Sequence, residues 1–462
     1  MIDAHPFKQR NIGVLGLGKS GAATVAALAK AGAYVVMWDD TEAGRDIAEA
    51  KLKNVSVFPP DEWDWATLEA MVLSPGISLT HPEPHPAVLL AKAHDCPIIG
   101  DVEVLYVSCP KARYIGITGT NGKSTTTTLI GHILRHAGRE IAIGGNLGMA
   151  ALCLESLDNR GAYVLEMSSY QLDLIRTVRF NTAVLLNLSE DHIDRHGSMQ
   201  GYIDAKLHIF DCQTHDDVAI IGVDDAYSQA LCRSMIGDNF QHIIPISGKQ
   251  SVKNGIYVKD GMLTNALNKN AQHVDLRHVK SLQGAHNGQN AAAAYAVAHA
   301  QGVEHDVIAS AMQSFAGLAH RMQWLGQTHG VDYVNDSKAT NADATEKALL
   351  SYDNVFLILG GVAKEGGIDM LAPYFHKIRR AYLIGKAAPE YAKTLSGHVD
   401  FVLCETLDKA FETASHDAQK AGLAQAVVML SPASASFDQY RNFEQRGEHF
   451  IALYNAKKET QA

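Results

Sequence analysis

Short apolar runs alternate with longer segments of helical period along the whole chain. The first run, Asn11–Leu15, is followed by a glycine turn and by a helix that we expect to end near Gly32, and Tyr34–Trp38 is predicted as a second strand. Strands that alternate with helices are typical of parallel sheets covered by helices. The pattern therefore predicts an α/β fold with mostly parallel sheets.

The alternation falls into three modules in series, which we predict to be domains over residues 1–102, 103–323 and 324–462. The second module contains a polar, turn-rich stretch at 247–280, predicted as hairpins or loops, and an alanine-rich helix at 289–301. The remaining predicted strands are 71–73, 114–118, 163–166, 183–187, 331–334, 355–359, 381–384, 401–404 and 427–430.

The composition narrows the class of protein. Of 462 residues, 47% are apolar and 19% are charged, which excludes a disordered or collagen-like chain. The formal charge of −10 disfavours broad contact with nucleic acid or anionic membranes, so we expect neither as a partner. The six cysteines form no CxxC pair, which indicates free thiols in a reducing compartment.

The sequence also bears on location. No apolar run reaches the roughly 18 residues of a membrane span, and residues 1–10 lack the apolar segment of a signal peptide. We therefore expect a cytoplasmic protein, and we predict a monomer.

The sharpest local feature is a glycine-rich turn directly after a predicted strand and directly before a helix. It consists of Gly119, Thr120, Asn121, Gly122, Lys123, Ser124 and Thr125. Backbone N–H groups at such a helix start bind phosphate, Lys123 would reach the β- and γ-phosphates, and the Ser124 hydroxyl would ligate Mg²⁺. The turn is a shortened variant, because Ile117 stands where the usual spacing has a glycine. The alternative is an ordinary glycine turn capped by Ser124.

A second glycine turn follows the first strand and reads Gly16-Leu17-Gly18-Lys19-Ser20-Gly21. Asp39 and Asp40 end the next strand. Glycines allow a close approach of a pyrophosphate, and an acid at that strand end can bind a ribose. The pattern favours a nucleoside diphosphate ligand, and the alternatives are a nicotinamide dinucleotide or a purely structural turn.

Polar side chains follow two strands of the second module. Glu166-Met167-Ser168-Ser169 comes after one, and Asn187-Leu188-Ser189-Glu190-Asp191-His192 after the other. Because ligands bind beyond the carboxyl ends of parallel strands, we expect these residues beside Ser124. A carboxylate and an imidazole there could hold Mg²⁺ against ATP phosphates. The alternative for each residue is an ordinary loop position.

Two further motifs are left open by the residues alone. Asn335-Asp336-Ser337-Lys338-Ala339-Thr340-Asn341 combines an acid, a base and hydroxyls, but Asp336 or Ser337 could simply cap a helix. Ser431-Pro432-Ala433-Ser434-Ala435-Ser436 follows the last strand, and its small residues suit the close approach of a ligand.

Together the motifs resemble the Mur ligases, ATP-dependent enzymes that extend the peptide stem of peptidoglycan. The resemblance covers essentially the whole chain, and the segment at 335–341 with the one at 431–440 is similar to the members that add D-glutamate. The motifs that carry it, in family order, are 119–125, 166–169, 191–196, 205–206, 286–287, 320–321, 336–341 and 431–447.

The resemblance implies a Rossmann-like UDP-binding domain, a P-loop ATPase-like central domain that binds ATP, and a Rossmann-like third domain that binds the incoming amino acid. It implies ATP and Mg²⁺ as cofactors, and UDP-N-acetylmuramoyl-L-alanine and D-glutamate as substrates. The implied reaction phosphorylates the substrate carboxylate, and the amine of D-glutamate then attacks the acyl phosphate.

The resemblance also assigns residues to each function. The catalytic residues would be Lys123, His192, Lys206 and Lys338. ATP would be bound by Gly119, Thr120, Asn121, Gly122, Lys123, Ser124, Thr125, Asn287, Asn290, Arg321 and Asp336. The UDP substrate would be bound by Lys19, Ser20, Asp39, Asp40, Gly76 and Asn146. D-Glutamate would be bound by Thr340, Lys364, Ser436, Phe437 and Phe443. Mg²⁺ would be held by Ser124, Glu166, His192 and Lys206, the last as a carbamate.

Three other functions fit parts of the pattern. A nicotinamide-dependent oxidoreductase would use the turn at 16–21 but has no need for a second phosphate turn at 119–125. A non-catalytic nucleotide-binding protein would form no ADP in response to a substrate. A folylpolyglutamate synthase shares the ATP turn, but the first module argues against it because that module implies a UDP-type ligand.

Overall fold

Three β-sheets with packed helices form the framework of the protein in a computed structural model that describes residues 1–48, 54–238, 240–364 and 366–459. The prediction of an α/β fold with mostly parallel strands is confirmed. Contacts divide the chain into two compact units. The first consists of Met1–Val279 with Ala285–Ser314, and the second of Lys280–Gly284 with Phe315–Ala462. The three domain boundaries stay a prediction.

The glycine turn at 16–21 follows the central strand of the first sheet and so lies in the middle of the edge formed by the strand ends. This region contains β1 (Asn11–Leu15), α1 (Lys19–Ala31), β2 (Tyr34–Trp38), α2 (Glu42–Ala48), β3 (Val55–Val57), β4 (Ala70–Leu73), α3 (Pro86–Ala93), β5 (Ile98–Ile99) and α4 (Asp101–Ser108). The strands are parallel in the order β3-β2-β1-β4-β5. Strand β1 is central, and a Cβ atom at Gly13 would lie 2.6 Å from the Trp63 ring, so this indole packs directly on the strand.

The second sheet brings four strand ends together. Its region contains β6 (Arg113–Thr118), α5 (Lys123–His136), β7 (Ile141–Gly145), β8 (Ala162–Glu166), α6 (Ser169–Leu172), β9 (Thr182–Leu185), α7 (Ile193–His196), α8 (Met199–Leu207), β10 (Val218–Gly222), α9 (Ala226–Asp238), β11 (His242–Ser247), β12 (Ile256–Lys259), β13 (Met262–Asn265), β14 (Gln272–Asp275), α10 (Ala285–Ala300) and α11 (His305–Gln313). The strand order is β14-β13-β12-β11-β10-β9-β6-β8-β7. Strands β9, β6, β8 and β7 are parallel neighbours, so the segments that follow them share one edge.

Two predictions about this second region are confirmed. The stretch at 247–280 forms the antiparallel strands β12, β13 and β14, joined as hairpins at one side of the sheet. The alanine-rich helix is α10, which packs against α5 and whose alanines at 291–294, 296 and 298 are fully buried. Small side chains allow the two helix axes to approach closely, which positions α10 behind the turn at 119–122.

The third sheet belongs to the second unit. Its region contains β15 (Gln323–Thr328), β16 (Val331–Asn335), α12 (Ala342–Ser351), β17 (Val355–Gly360), β18 (Ile378–Ile384), α13 (Ala388–Leu395), β19 (Phe401–Glu405), α14 (Leu407–Ala421), β20 (Ala426–Leu430) and α15 (Phe443–Glu459). The order is β15-β16-β20-β17-β18-β19, and β15 alone among these strands is antiparallel to its neighbour. Residues that follow β16, β17 and β20 therefore meet at one edge.

The structure corrects two details of the sequence predictions. The strand predicted at 183–187 ends at Leu185, so Asn187 already lies in the loop. Neither Asp336 nor Ser337 caps a helix: α12 begins later, and its N-cap is Asn341, whose side chain accepts a hydrogen bond from the Ala344 N–H at 2.9 Å. Asp336 and Ser337 are instead buried.

Among the described residues, no helix has the length and apolar character needed to cross a membrane.

Candidate functional site

The turn at 119–122 has a backbone that only glycine adopts readily. Gly119 and Gly122 have φ angles of +145° and +86°. A Cβ atom at Gly122 would lie 2.2 Å from the Asn290 side-chain oxygen. The N-cap of α5 is Gly122, and Ser124 is the second residue of the helix, so the alternative of a turn capped by Ser124 is wrong. The N-terminus of α5 is left to bind an anion.

Two lysines converge on one backbone carbonyl of this turn. Lys123 Nζ donates to Gly119 O at 2.8 Å and to Thr120 O at 2.9 Å. Lys206 Nζ, on α8, donates to the same Gly119 O at 3.0 Å and to Thr118 Oγ1 at 3.3 Å. Lys206 is 1% exposed, and burial together with the charge of Lys123 lowers the pKa of its ammonium to about 7. The local field is positive on a protein whose net charge is negative.

Amide and hydroxyl side chains hold the turn in place. Asn121 N donates to Asn187 Oδ1 at 2.8 Å, and the Thr120 hydroxyl bonds Ser189 O at 3.2 Å. Asn290 receives a bond from the Thr126 hydroxyl at 3.2 Å and donates to Asn287 Oδ1 at 3.2 Å. The structure thus places the predicted ATP residues of α10 directly against the glycine turn. Thr125 is the third residue of α5.

Glu166 and Asn146 meet at the ends of the paired strands β8 and β7. Asn146 Nδ2 donates to Glu166 Oε1 at 2.7 Å. Glu166 is 3% exposed, and its second oxygen, Oε2, is buried and meets no hydrogen-bond partner among the residues that the structure describes. A buried carboxylate oxygen of this kind is costly unless a cation or donor meets it, so the site fits a hard divalent cation.

His192 stands at the N-cap of α7 with φ of +53° and a half-exposed ring. Its ring centroid lies 5.2 Å from that of Tyr170 and 6.4 Å from that of Tyr202. Lys206 Nζ lies 4.6 Å from the Tyr202 ring, so this tyrosine connects both predicted metal ligands. Among the described residues, no three His, Cys, Asp or Glu side chains form a ready metal site. The predicted Mg²⁺ ligands also include the Ser124 hydroxyl and a carbamate on Lys206, which belong to none of these four residue types.

The predicted UDP residues surround the first glycine turn. Asp39 Oδ2 accepts a bond from Leu17 N at 2.6 Å, and Asp39 Oδ1 accepts one from the Thr41 hydroxyl at 2.6 Å. Burial alone would raise the pKa of Asp39, but these hydrogen bonds lower it below its usual value. Asp40 pairs with His85 at 3.0 Å. Lys19 Nζ donates to Gly148 O, which connects the turn to the second region.

Two other predicted UDP residues, Ser20 and Gly76, lie near the same turn. Ser20 lies near Asp101, a buried acid at the start of α4, and opposes the rise in the pKa of Asp101 that burial causes. Gly76 lies on the loop after β4, and its carbonyl oxygen accepts a bond from Arg195 at 3.0 Å. The first glycine turn is therefore held by Asp39 and by contacts with residues of both the first-sheet and the second-sheet regions.

In the second unit, Asp336 is buried beneath the end of β20. Its carboxylate accepts bonds from the Ser431 hydroxyl at 2.7 Å and from Met322 N at 3.0 Å. Burial raises the pKa of Asp336 to about 7, although these bonds and the charge of Arg321 act in the opposite direction. Lys338 Nζ lies 5.2 Å from the Phe443 ring, and Lys338 N donates to His320 O at 2.9 Å.

Arg446 is a residue that the sequence predictions missed. It is 1% exposed, and its guanidinium donates to Ser337 Oγ at 3.0 Å, Ser337 O at 2.9 Å, Ser434 O at 3.0 Å and Gly360 O at 3.3 Å. It thereby fixes the segments after β16, β17 and β20. The sequence shows only that this arginine lies inside the motif segment at 431–447. Its hydrogen-bond partners are distant in sequence, so no local pattern identifies them.

The predicted D-glutamate residues occupy this same edge with different exposures. Ser436 is 2% exposed, whereas Phe437 is 74% exposed. Lys364 is exposed on the loop after β17, and the neighbouring Val362 pairs with Ala435 through hydrogen bonds of 2.7 and 3.1 Å. Thr340 N donates to Lys338 O at 2.8 Å. The loops after β17 and β20 are thus directly joined.

The Asp336 environment predicts a pH dependence of stability. The native side chain keeps its proton up to a pKa of about 7, whereas the unfolded chain loses it near 3.8, so the native state binds more protons in between. The Asp336 contribution to the unfolding free energy therefore falls as pH rises across this window. Asp336→Asn removes the titration; its Oδ1 can still accept the bond from Met322 N, and its Nδ2 would donate to the Ser431 hydroxyl oxygen in place of accepting from it. In chemical denaturation we expect the variant to gain up to about 4 kcal/mol on the wild type across the window. A constant difference would contradict the buried acid.

The chain matches three family models. They are "Mur ligase MurD-like, N-terminal domain" over residues 10–100, "Mur ligase middle domain" over 117–298, and "Mur ligase, glutamate ligase domain" over 320–434. Together these matches span most of the chain, in the order in which the three sheets occur.

Curated relatives match over nearly the full length. The chain is 46% identical to the "UDP-N-acetylmuramoylalanine--D-glutamate ligase" of Paramagnetospirillum magneticum, over 99% of this chain and 98% of that protein. It is also 46% identical to the protein of that name from Caulobacter vibrioides, over 98% of both chains.

Solved structures support the fold. A UDP-N-acetylmuramoyl-L-alanyl-D-glutamate–2,6-diaminopimelate ligase superposes with a TM-score of 0.57 at 18% identity, covering 98% of this chain and 94% of the other. A Thermotoga maritima MurF ligase in complex with ADP superposes with a TM-score of 0.54 at 16% identity, covering 100% and 98%.

Proposed function

This chain belongs to the Mur ligase family, and from that premise we propose that it joins D-glutamate to UDP-N-acetylmuramoyl-L-alanine while converting ATP to ADP and phosphate. The observation that carries the proposal is the full-length similarity to curated D-glutamate ligases. The glycine turn with two lysines on one carbonyl gives it a physical basis, because such a turn suits a polyphosphate. The product is a precursor of peptidoglycan, made where ATP and UDP-sugars are available, so we propose a cytoplasmic enzyme.

The reaction has two steps. First, a carboxylate oxygen of the L-alanine residue attacks the γ-phosphorus of ATP, the bond between that phosphorus and the β,γ-bridging oxygen breaks, and ADP leaves. Second, the D-glutamate nitrogen attacks the acyl carbon, loses a proton, and phosphate leaves as the amide forms. Phosphorylation is needed because a free carboxylate is a poor electrophile. Protein catalysis of phosphoryl transfer is mainly positioning and charge stabilisation.

Residues of the first unit supply the phosphate site in this proposal. The N–H groups of 119–125 and Lys123 Nζ hold the ATP phosphates, with Asn287 and Asn290 behind the turn. Mg²⁺ would be held by Ser124, Glu166, His192 and a carbamate on Lys206, and when bound it would neutralise charge on the phosphates. Glu166 fits this role because its buried Oε2 accepts no hydrogen bond from the described part of the chain.

The other predicted residues keep their proposed roles. Lys19, Ser20, Asp39, Asp40 and Gly76 would bind the UDP group, with Asn146 at the sugar end. Arg321, Asp336 and Lys338, which lie in the second unit, keep their proposed part in ATP binding. D-Glutamate would be bound by Thr340, Lys364, Ser436, Phe437 and Phe443. The three domain functions and a monomeric state are proposed on the same grounds.

A single assay tests the proposed activity. Phosphate release with ATP and UDP-N-acetylmuramoyl-L-alanine is measured in parallel with D-glutamate, L-glutamate, L-alanine or meso-diaminopimelate. We expect turnover with D-glutamate and at least about 100-fold less with each of the others. A chiral site that pairs both carboxylates of D-glutamate is left with an unpaired polar group when any of the other amino acids binds. Equal turnover with L-alanine or diaminopimelate would reject the proposal.

A further inference from the structure

The guanidinium of Arg195 crosses from α7 of the second region to the loop after β4 of the first. Arg195 Nη1 donates to Gly76 O at 3.0 Å, and Nη2 donates to Ile77 O at 3.0 Å and to Pro75 O at 3.4 Å. Three consecutive carbonyl oxygens therefore bond to one charged group. Charge-assisted bonds of this kind are shorter and stronger than neutral ones and fix geometry.

The loop held by Arg195 is attached to the first glycine turn. The Ser74 hydroxyl donates to Gly16 O at 2.7 Å, and Ile77 N donates to Ser74 O at 3.0 Å. A Cβ atom at Gly16 would lie 2.7 Å from Ile77 Cδ1, so the turn and the loop are in close contact. A ligand that reshapes the turn at 16–18 must also shift the carbonyls that Arg195 holds.

The backbone of Arg195 is hydrogen-bonded to that of His192. Both lie in one short helical turn, where Arg195 N donates to His192 O at 3.0 Å. The Arg195 guanidinium lies 4.6 Å from the Tyr170 ring, which contacts the His192 ring and stacks on His196 at 5.5 Å. His196 bonds the Ser169 hydroxyl at 2.9 Å. A shift of Arg195 is therefore transmitted to the backbone and the ring of His192.

Other contacts hold the two regions together without Arg195. Gly100 N donates to Leu174 O at 2.8 Å, and Ile2 N donates to Leu152 O at 2.9 Å. The Glu103 carboxylate accepts bonds from the N–H groups of Arg176 at 2.6 Å and of Thr177 at 3.0 Å. Loss of the Arg195 side chain should therefore leave the unit assembled.

We infer that Arg195 is a positioning residue that couples occupancy of the UDP-substrate turn to His192 and hence to ATP binding. This inference rests on the proposed function, which places the UDP substrate at Gly76 and the ATP metal at His192. Coupling of this kind is reciprocal, because each ligand must change the affinity of the other by the same factor.

The test measures that factor by calorimetry. The Kd of the β,γ-imido analogue of ATP, with Mg²⁺, is determined with and without saturating UDP-N-acetylmuramoyl-L-alanine. We expect about tenfold tighter binding with the UDP substrate in the wild type and less than about twofold in Arg195→Gln. Turnover should show kcat lowered about tenfold in the variant with an unchanged KM for D-glutamate. Arg195→Lys, which keeps the charge and can bond one or two carbonyls, should restore part of the coupling.

The matched control is Arg179→Gln. Arg179 is also in the first unit and pairs with Asp217 at 2.7 and 3.0 Å. This variant should lose thermal stability and keep the wild-type coupling factor. A wild-type factor of one, or an unchanged factor in Arg195→Gln, would overturn the inference. Failure of the wild type to bind the UDP substrate at all would instead reject the proposed function.

Discussion

Replacement of Lys123 by alanine is expected to reduce ADP formation severely while leaving the protein folded. We expect kcat to fall by about 10³-fold, the scale of losing one preorganised charge-stabilising donor during catalysis. The measurement is ADP release at saturating ATP, UDP-N-acetylmuramoyl-L-alanine and D-glutamate.

The physical reason lies in the position of Lys123 on the turn. It is the first residue of α5, directly after the N-cap Gly122, so its ammonium stands beside the backbone N–H groups that face an anion. In the structure its Nζ donates to Gly119 O and Thr120 O across the turn. Phosphate oxygens are stronger acceptors for an ammonium than neutral carbonyls are, so we expect Nζ to bond the transferring phosphoryl group when ATP binds.

The control for this prediction is Lys111→Ala, which removes an exposed lysine just before β6. It should keep wild-type turnover and the wild-type unfolding temperature. Lys123→Ala should share that unfolding temperature, because Gly119 O keeps its bond from Lys206 and Thr120 is partly exposed. Wild-type turnover in Lys123→Ala would contradict the proposal that ATP binds at the turn of residues 119–125.

Local patterns predicted the parts of the site that lie on single segments. The glycine turn, the strand before it and the acids after β2 and β8 are each encoded within a few residues, and the structure places them at sheet edges as expected. Parallel strand order then brings the ends of β9, β6, β8 and β7 together without any further information. This is why fold class and the phosphate turn were predictable from sequence.

Long-range contacts were not predictable in the same way. Arg446 bonds residues 12 to 109 positions away, and no local pattern distinguishes it from a surface arginine. Strand β11 was also missed, because Pro245 disrupts the pattern of a central strand. The structure tolerates it because β12 pairs only with Ile246 and Ser247, so the missing N–H of Pro245 costs no ladder bond there.

The second large effect is expected at Lys206. Lys206→Met should lower kcat by about 10³-fold, comparable with Lys123→Ala, yet it should not lower the unfolding temperature. Lys206 is 1% exposed, its Nζ donates to Gly119 O and Thr118 Oγ1, and the charge of Lys123 opposes its own. A buried cation in this position costs stability, and methionine fills the same space without the charge.

The lowered pKa explains why the wild-type lysine can be modified. With a pKa of about 7, a large fraction of Lys206 is a neutral amine at neutral pH. A neutral amine nitrogen attacks the carbon of CO₂ and loses a proton, which gives a carbamate that keeps one N–H for Gly119 O. We therefore expect wild-type activity to fall below pH 7, to fall in CO₂-depleted buffer, and to return with bicarbonate.

The same pKa predicts the sign of the pH effect on stability. Between about 7 and the ordinary lysine value of 10.5, the unfolded chain holds a proton that the native Lys206 has lost. The wild type should therefore gain unfolding free energy relative to Lys206→Met as pH rises across this window. Lys259→Met, at an exposed position on β12, should show neither effect. An active Lys206→Met variant would show that neither the ammonium nor a carbamate of this residue is needed, and wild-type activity that does not respond to CO₂ depletion or bicarbonate would contradict the carbamate.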